Sequence, residues 1–88
     1  MVLVTGLIWD EWNKEHIAKH NVSVKEVEEA CLGKHEAIES FRKRIQIKGM
    51  TKKGRRITIL LSPENRKLET YGYGIYYPIT AFEEVDEI

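Results

Sequence analysis

A chain of 88 residues is long enough for one domain, with a core that can hold about one sheet and a pair of helices. Hydrophobic residues make up 42% of the chain and charged residues 32%, which is typical of a globular protein, and no apolar run is long enough to span a membrane. The formal net charge is zero, so total charge alone predicts no polyanionic partner.

The first residues and the cysteine content predict the cellular compartment. The first residues, MVLVTGLIW, lack the basic start and the small-residue cleavage pattern of a signal peptide, so we expect none. Cys31 is the only cysteine and cannot form an internal disulfide, which fits a reducing compartment. We therefore expect a cytoplasmic protein with no membrane partner.

The N-terminal half predicts a short strand followed by a helix hairpin. The β-branched residues of VLVTGLI favour the strand. Asp10 is a candidate N-cap for a helix over about residues 11–20, and Asn21 can adopt the left-handed conformation that ends it. Ser23 and Glu26 form the pattern of a capping box for a second helix. Four residues give that helix an apolar stripe: Val24, Val27, Cys31 and Leu32.

The C-terminal half predicts strands, because its hydrophobic period changes to two. FRKRIQIKG and RITILLS are joined by a turn in which Gly54 supplies positive φ, and LETYGYGIYYPITA is the last strand, where Pro78 indicates a bulge or an edge. Thr80 with Glu83 is expected to cap one further helical turn. The chain is thus predicted to be a single α+β domain, residues 1–88, with an N-terminal helix hairpin packed on an antiparallel sheet of about four strands.

Charge is segregated along the chain. Residues 1–40 carry a net charge of −4, residues 41–67 of +9 and residues 68–88 of −5. Nucleic-acid binding needs such a concentration of cations, because each neutralised phosphate releases counterions. The alternative is a solvated sheet face whose cations only keep the protein soluble. The cations on the predicted basic strand and in the adjoining turn are Arg42, Arg44, Lys48, Lys52, Lys53, Arg55 and Arg56.

Two histidines lie one helical turn apart. His16 and His20 fall on the helix side that also carries Trp9, Trp12 and Asn13, with Ile17 at its edge, and we expect the tryptophans to bury this side. An imidazole can move a proton to or from a ribose hydroxyl near neutral pH, although both rings could equally serve only in packing. The zinc-protease motif requires Glu directly after the first histidine, where this chain has Ile17, so no metal or other cofactor is expected. A small metal-binding protein that uses His16 and His20 is a third reading.

The stretch WDEWNKEHIAKHNVSVKEVEEA resembles the start of BrnT-type toxins, whose helix hairpin runs W-D-E, then K-H-G-V-S and E-E-A. RIQIKGMTKKGR is similar to that family's strand R-Y-I-A-I-G with its turn, and YYPITAF to its closing strand, which ends in (S/T)-A-R. The resemblance covers nearly the whole chain. It implies a RelE-like fold and a metal-independent endoribonuclease of a type II toxin–antitoxin pair. The implied partners are RNA and a cognate antitoxin, with an oligomer formed together with the antitoxin.

Candidate site residues follow from this reading. Cleavage by a ribose 2′-oxygen needs a base, a proton donor for the leaving 5′-oxygen and cations for the phosphorane charge. We assign proton transfer to His20 or His16, and charge stabilisation to Arg44 with Arg42. Three further cations are expected to bind the RNA backbone: Lys48, Arg55 and Arg56.

The resemblance carries over at some positions and departs at others. Lys19 and His20 match the family's K-H, and Arg44 matches the arginine that opens its second strand. Phe82 stands where the family has the arginine after T-A, and the acidic EEVDEI replaces a Lys/Arg-rich helix. These departures predict an alternative function, a toxin-fold binding module for an antitoxin or RNA with weakened or no catalysis.

Overall fold

The computed structural model of the chain describes residues 4–39, 43–65, 67 and 69–84. Their strands form one sheet with the order β1-β5-β4-β3-β2, in which β1 is parallel to β5 and the other pairs are antiparallel. The fold is α+β, as predicted. The elements are β1 (Gly6–Leu7), α1 (Glu11–Lys19), α2 (Val24–Leu32), β2 (His35–Glu39), β3 (Ile45–Met50), β4 (Arg56–Ser62) and β5 (Ile75–Glu83).

The expected antiparallel sheet of about four strands is corrected to a mixed sheet of five. The change to a period of two is predicted from His35, where β2 begins, but HEAIE was not counted as a strand of its own. It pairs along its whole length with β3. The last strand begins at Ile75 rather than near residue 68, because Gly72 and Gly74 adopt positive φ and form a turn. The helical turn expected at Thr80–Glu83 is wrong, since Glu83 pairs with Ile57 of β4.

The helix hairpin is capped as predicted. Asp10 accepts a hydrogen bond from the backbone N–H of Asn13, and the Asn13 side chain accepts one from the backbone of Asp10. Ser23 and Glu26 make the same reciprocal pair before α2, and Asn21 has a φ of 61°. These local hydrogen bonds satisfy backbone groups that a helix end leaves open. Among the described residues no helix is long and apolar enough to cross a membrane.

The core lies between the hairpin and one face of the sheet. Ile47, Ile59 and Ala81 are cross-strand neighbours and are all buried. Helix α2 lies directly against β3 at Gly49, where an added Cβ would come within 2.5 Å of the Ala30 carbonyl oxygen. The helices supply four fully buried residues to this core: Ile17, Val27, Ala30 and Cys31.

Helix α1 covers the edge of β5 beyond the end of β1. The Asn13 side-chain amide donates to the Ile8 carbonyl at 2.9 Å and to the Pro78 carbonyl at 3.1 Å. Opposite Leu60 and Leu61 the β5 register shifts, which leaves Ile79 as an extra residue. The bulge or edge position predicted from Pro78 is therefore confirmed, since proline cannot donate to a sheet ladder.

Candidate functional site

The sheet face opposite the helices is called the outer face. Because side chains alternate along a strand, residues next to the buried Ile47, Ile59 and Ala81 point to this side. Cross-strand pairing makes one outer-face row of Lys48, Thr58 and Phe82. The adjacent row, one step towards the opposite end of the strands, is Gln46, Leu60 and Thr80.

Four rings form a continuous row along α1 that ends on the outer face, called the ring row. Trp12 stacks on His16 with centroids 5.0 Å apart and planes 9° apart. His16 meets His20 edge-on at 5.5 Å, and His20 lies 6.4 Å from Phe82. Trp12 is 47% exposed and Phe82 43%, so both ends of the row are accessible to a ligand.

The predicted burial of this side of α1 is correct for Asn13, for Ile17 at its edge and in part for Trp9, but wrong for Trp12 and His20. The buried residues of α1 are Asn13 and Ile17, while His16 is half-buried and His20 exposed. Helix α1 lies along the edge of β5 rather than over the sheet face, so only the narrow stripe facing that edge is covered. The i, i+4 spacing of the histidines gives their common side, but not which side is covered.

Lys48 is a predicted cation in the same cross-strand row as Phe82, at one end of the ring row. Its Cα lies two strand spacings, about 10 Å, from that of Phe82. The Lys48 ammonium is 3.8 Å from a carboxylate oxygen of Glu84, and Glu36 is its neighbour on β2. Both partners of the Lys48–Glu84 pair are about 40% exposed, and such surface pairs contribute little stability and exchange readily.

Arg44 lies at the other end of the outer face, about 13 Å along β3 from Lys48 at the usual rise per residue. It lines a pocket of about 630 Å³, called the loop pocket, together with Trp12 and residues of the 62–71 segment. In the part of the chain that the structure describes, the guanidinium has no hydrogen bond or ion pair. Arg44 is therefore available to an anionic ligand next to the Trp12 end of the ring row.

Arg55 is held by the protein itself. One terminal nitrogen donates to Glu26 at 2.6 Å and to the Asn21 carbonyl at 3.1 Å, and Nε donates to Glu83 at 2.9 Å. The hydrogen bonds to Glu83 and Glu26 raise the pKa of Arg55. Burial alone raises the pKa of Glu26, but hydrogen bonds from Arg55 and from the Ser23 backbone outweigh it and the pKa is lowered. Arg55 therefore joins the hairpin to the sheet on the helix side.

Arg56 lies on the outer face as well. It is exposed at the start of β4, opposite Met50 and two residues before Thr58, so its Cα is a diagonal neighbour of the Phe82 Cα at about 8 Å. Arg42 lies outside the described residues. The structure thus brings His16 and His20 into one ring row with Lys48 near one end and Arg44 near the other, but it does not gather the cations around a single imidazole.

Sequence reasoning missed the exposed Phe82 and Trp12 rings as part of the site. Phe82 follows the alternation of β5, but this strand was expected to end before it. Trp12 shares a helix side with Trp9 and Asn13, and this spacing predicted that it would be buried. No group of three or more metal-ligating side chains comes together among the described residues.

Comparison of the chain with protein-family models, with curated proteins and with solved structures found no match. The resemblance to BrnT-type toxins and the RelE-like fold therefore remain predictions. Function is inferred from the residues of the outer face, the ring row and the loop pocket.

Proposed function

We propose that the protein is a metal-independent endoribonuclease toxin of a type II toxin–antitoxin pair, with a RelE-like fold and a cognate antitoxin as inhibitor. The observation that carries the proposal is an exposed imidazole at the border of a sheet face that bears cations. His20 lies 6.4 Å from Phe82, and Phe82 shares a cross-strand row with Lys48. The similarity of the helix hairpin to that of BrnT-type toxins supports the same reading.

The chemistry would proceed on the RNA alone. His20 takes the proton of a ribose 2′-hydroxyl, and the 2′-oxygen attacks the adjacent phosphorus. The bond from phosphorus to the 5′-oxygen breaks, which leaves a 2′,3′-cyclic phosphate on one product. His16, whose ring is 5.5 Å from that of His20, gives the departing 5′-oxygen its proton.

Cations of the outer face would stabilise the charge that develops. Lys48 shares the cross-strand row of Phe82, and it exchanges Glu84 for the phosphorane oxygens. Arg44 holds a phosphate further along the strand, at the Trp12 end. Arg55 has a structural role in this proposal, because its donors are already bound to Glu26 and Glu83.

Expression of the full chain without an antitoxin tests the proposal. We expect arrested growth, and purified protein that cuts RNA to 2′,3′-cyclic phosphate ends in the presence of EDTA. His20→Ala and Lys48→Ala each lower the cleavage rate by roughly 10²-fold or more, as expected for loss of an acid–base or charge-stabilising group. Arg44→Ala relieves the growth arrest by weakening RNA binding.

Matched variants control for the loss of a ring or a charge. His35→Ala removes an imidazole on β2 whose Nδ1 contacts the Gly33 carbonyl, and Lys53→Ala removes an exposed cation in the β3–β4 turn. Both are expected to cleave at the wild-type rate. Normal growth together with intact RNA would refute the nuclease proposal.

The second candidate function is a binding module without catalysis. It is favoured by Phe82, which replaces an arginine of the similar toxins, and by the Glu84 carboxylate beside Lys48. A module of this kind binds single-stranded RNA or an antitoxin but yields no cyclic-phosphate product. Measuring RNA binding and cleavage on the same sample separates the two candidates.

A further inference from the structure

The loop pocket has the size and the position of a ligand subsite. Its volume of about 630 Å³ is within the range of pockets that hold small organic ligands. It opens at the end of the outer face where the ring row begins with Trp12, and Tyr71 and Tyr77 line it as well. Aromatic side chains at such a place can stack a nucleobase.

The wall of the pocket is shaped by its own hydrogen bonds. The Asn65 side-chain oxygen accepts from the backbone N–H groups of Lys67 and Glu69, at 2.8 and 3.1 Å. The Asn65 N–H donates to the Glu69 carbonyl at 2.9 Å, and the Tyr71 N–H donates to the Pro63 carbonyl at 3.1 Å. These bonds fix the backbone at the described loop residues before a ligand arrives, which lowers the entropic cost of binding.

The pocket is lined by charges of both signs. Glu64, Glu69, Arg44 and Lys67 all line it. Among the described residues none of these four side chains has a hydrogen bond or an ion pair. A basic peptide would meet Arg44 and Lys67, and an acidic peptide would meet the two glutamates. A nucleotide fits both signs, since it combines an anionic phosphate with a base that carries hydrogen-bond donors.

A carboxylate of Glu64 or Glu69 can distinguish the four bases by the hydrogen-bond donors that each base presents. Guanine presents its N1–H and its N2 amino group side by side, so one carboxylate can accept both hydrogen bonds. Adenine and cytosine place a ring-nitrogen acceptor beside their amino group, and uracil places carbonyls on both sides of N3–H. Each of these three would set an acceptor against a carboxylate oxygen. Burial raises the pKa of Tyr71, and so does the nearby Asp10, so its phenol remains neutral beside the base.

We propose that the loop pocket binds a guanine nucleotide of single-stranded RNA, with Glu64 or Glu69 on the Watson–Crick edge, Tyr71 against the base and Arg44 on the phosphate. This inference rests on the proposed function and narrows the substrate to single-stranded RNA that contains guanine. The subsite would place a guanosine at the Trp12 end of the ring row, next to the imidazoles to which the cleavage is assigned.

Titration of the full-length protein with the four 5′-mononucleotides tests the subsite. Backbone amide shifts in the 62–71 segment are followed by NMR, together with tryptophan fluorescence. GMP is expected to bind at least about 10-fold more tightly than AMP, CMP or UMP, which corresponds to about 1.4 kcal/mol. The Glu64→Gln/Glu69→Gln double variant loses this preference, and Arg44→Gln weakens all four nucleotides to a similar extent.

Two controls and two contrary outcomes complete the test. Glu28→Gln on α2 and Lys53→Gln in the β3–β4 turn remove exposed charges far from the pocket and are expected to leave GMP binding unchanged. Equal affinity for the four nucleotides, or shifts confined to other segments, would overturn the subsite. Tighter binding of an arginine-rich peptide to the same loop would overturn it in favour of a protein ligand.

Failure of the subsite and failure of the nuclease proposal remain distinguishable. Selective GMP binding by a protein that cuts no RNA leaves the subsite standing and removes the nuclease. RNA cleavage without any guanine preference in mononucleotide binding leaves the nuclease standing and removes the subsite.

Discussion

Asn13 is fully buried at the junction of α1, β1 and β5. Its side-chain amide donates to the carbonyls of Ile8 and Pro78, and its side-chain oxygen accepts from the Asp10 N–H. One residue thereby caps a helix and satisfies a carbonyl at the edge of β5, where β1 no longer pairs. An amide suits this position because it combines two donors with an acceptor.

Replacing Asn13 should destabilise the fold. Asn13→Ala leaves two buried carbonyls and one N–H without their partner and is expected to lower the free energy of unfolding by about 3 kcal/mol. Asn13→Asp keeps the shape but turns a carboxylate oxygen towards the same carbonyls, and should cost at least as much. Urea unfolding measures both, with Lys14→Ala as the exposed neighbouring control. A loss below about 0.5 kcal/mol in both variants would contradict this role.

Residues whose partners are close in sequence were predicted well. The Ser23–Glu26 capping box, the left-handed Asn21 and the positive φ of Gly54 are all present, because each depends on a few neighbouring backbone groups. The exposed positions of Trp12 and His20 were not predictable in this way. They depend on α1 docking beside β5, which no local pattern in the chain specifies.

At the scale of elements, Arg55 connects three parts of the fold. It links Glu26 of α2, the Asn21 carbonyl between the helices and Glu83 of β5. In the sequence it is one of several cations in a basic turn, and nothing in its spacing distinguishes it from Lys53. Its ion pairs join residues 28 and 29 positions apart, so only the tertiary fold reveals that it is not available to a substrate.

Stability should depend on pH through the Glu26–Arg55 pair. The pKa of Glu26 is lowered from its ordinary 4.5 in the folded protein, so the pair contributes stability above that value. The contribution is lost as the pH falls below 4.5 and through the lowered folded-state pKa. Arg55→Gln is therefore expected to lower the melting temperature more at pH 7 than at pH 3. Lys53→Gln serves as the control, and an equal effect of Arg55→Gln at both pH values would contradict the assignment.

At the scale of the whole molecule, the sheet order was the least predictable feature. The N-terminal strand was expected, but its two residues pair in parallel with Ile75 and Tyr76, close to the other end of the chain. No periodicity encodes which edge a first strand joins or in which direction. The antiparallel neighbours β3 and β4 were easier to predict, since a short turn leaves them little choice of partner.

The rate at which a reagent labels Cys31 should report how often the whole fold opens. The thiol is buried in the core between α2 and the sheet, and burial raises its pKa to about 12. Only the thiolate reacts, so a disulfide reagent should label the native protein at least about 10³-fold more slowly than the urea-unfolded chain. Fast labelling of the native protein would contradict a closed core.

The same thiol should also make the stability of the fold depend on pH in the alkaline range. Because its pKa is raised in the folded state, the stability that it contributes is present below its ordinary value of 9.0 and is lost as the pH rises towards 12. Cys31→Ser would be a poor control, since it buries a hydroxyl. Cys31→Ala removes the titration together with a packed sulfur, so its cavity lowers stability at every pH and only the alkaline slope reports on the thiol. The labelling rate and the alkaline slope of the melting temperature therefore report on one group.

The absence of a single methyl group at Gly49 governs how far apart the two layers of the molecule stand. With the Ala30 carbonyl seated there, any larger residue would lift α2 away from β3. Only a few residues join α2 to α1, so a displacement of α2 would also displace α1. The ring row would then move relative to the cations of the sheet. The distance between the His20 ring and the Lys48 ammonium should therefore depend on Gly49, which faces α2 on the other side of the sheet.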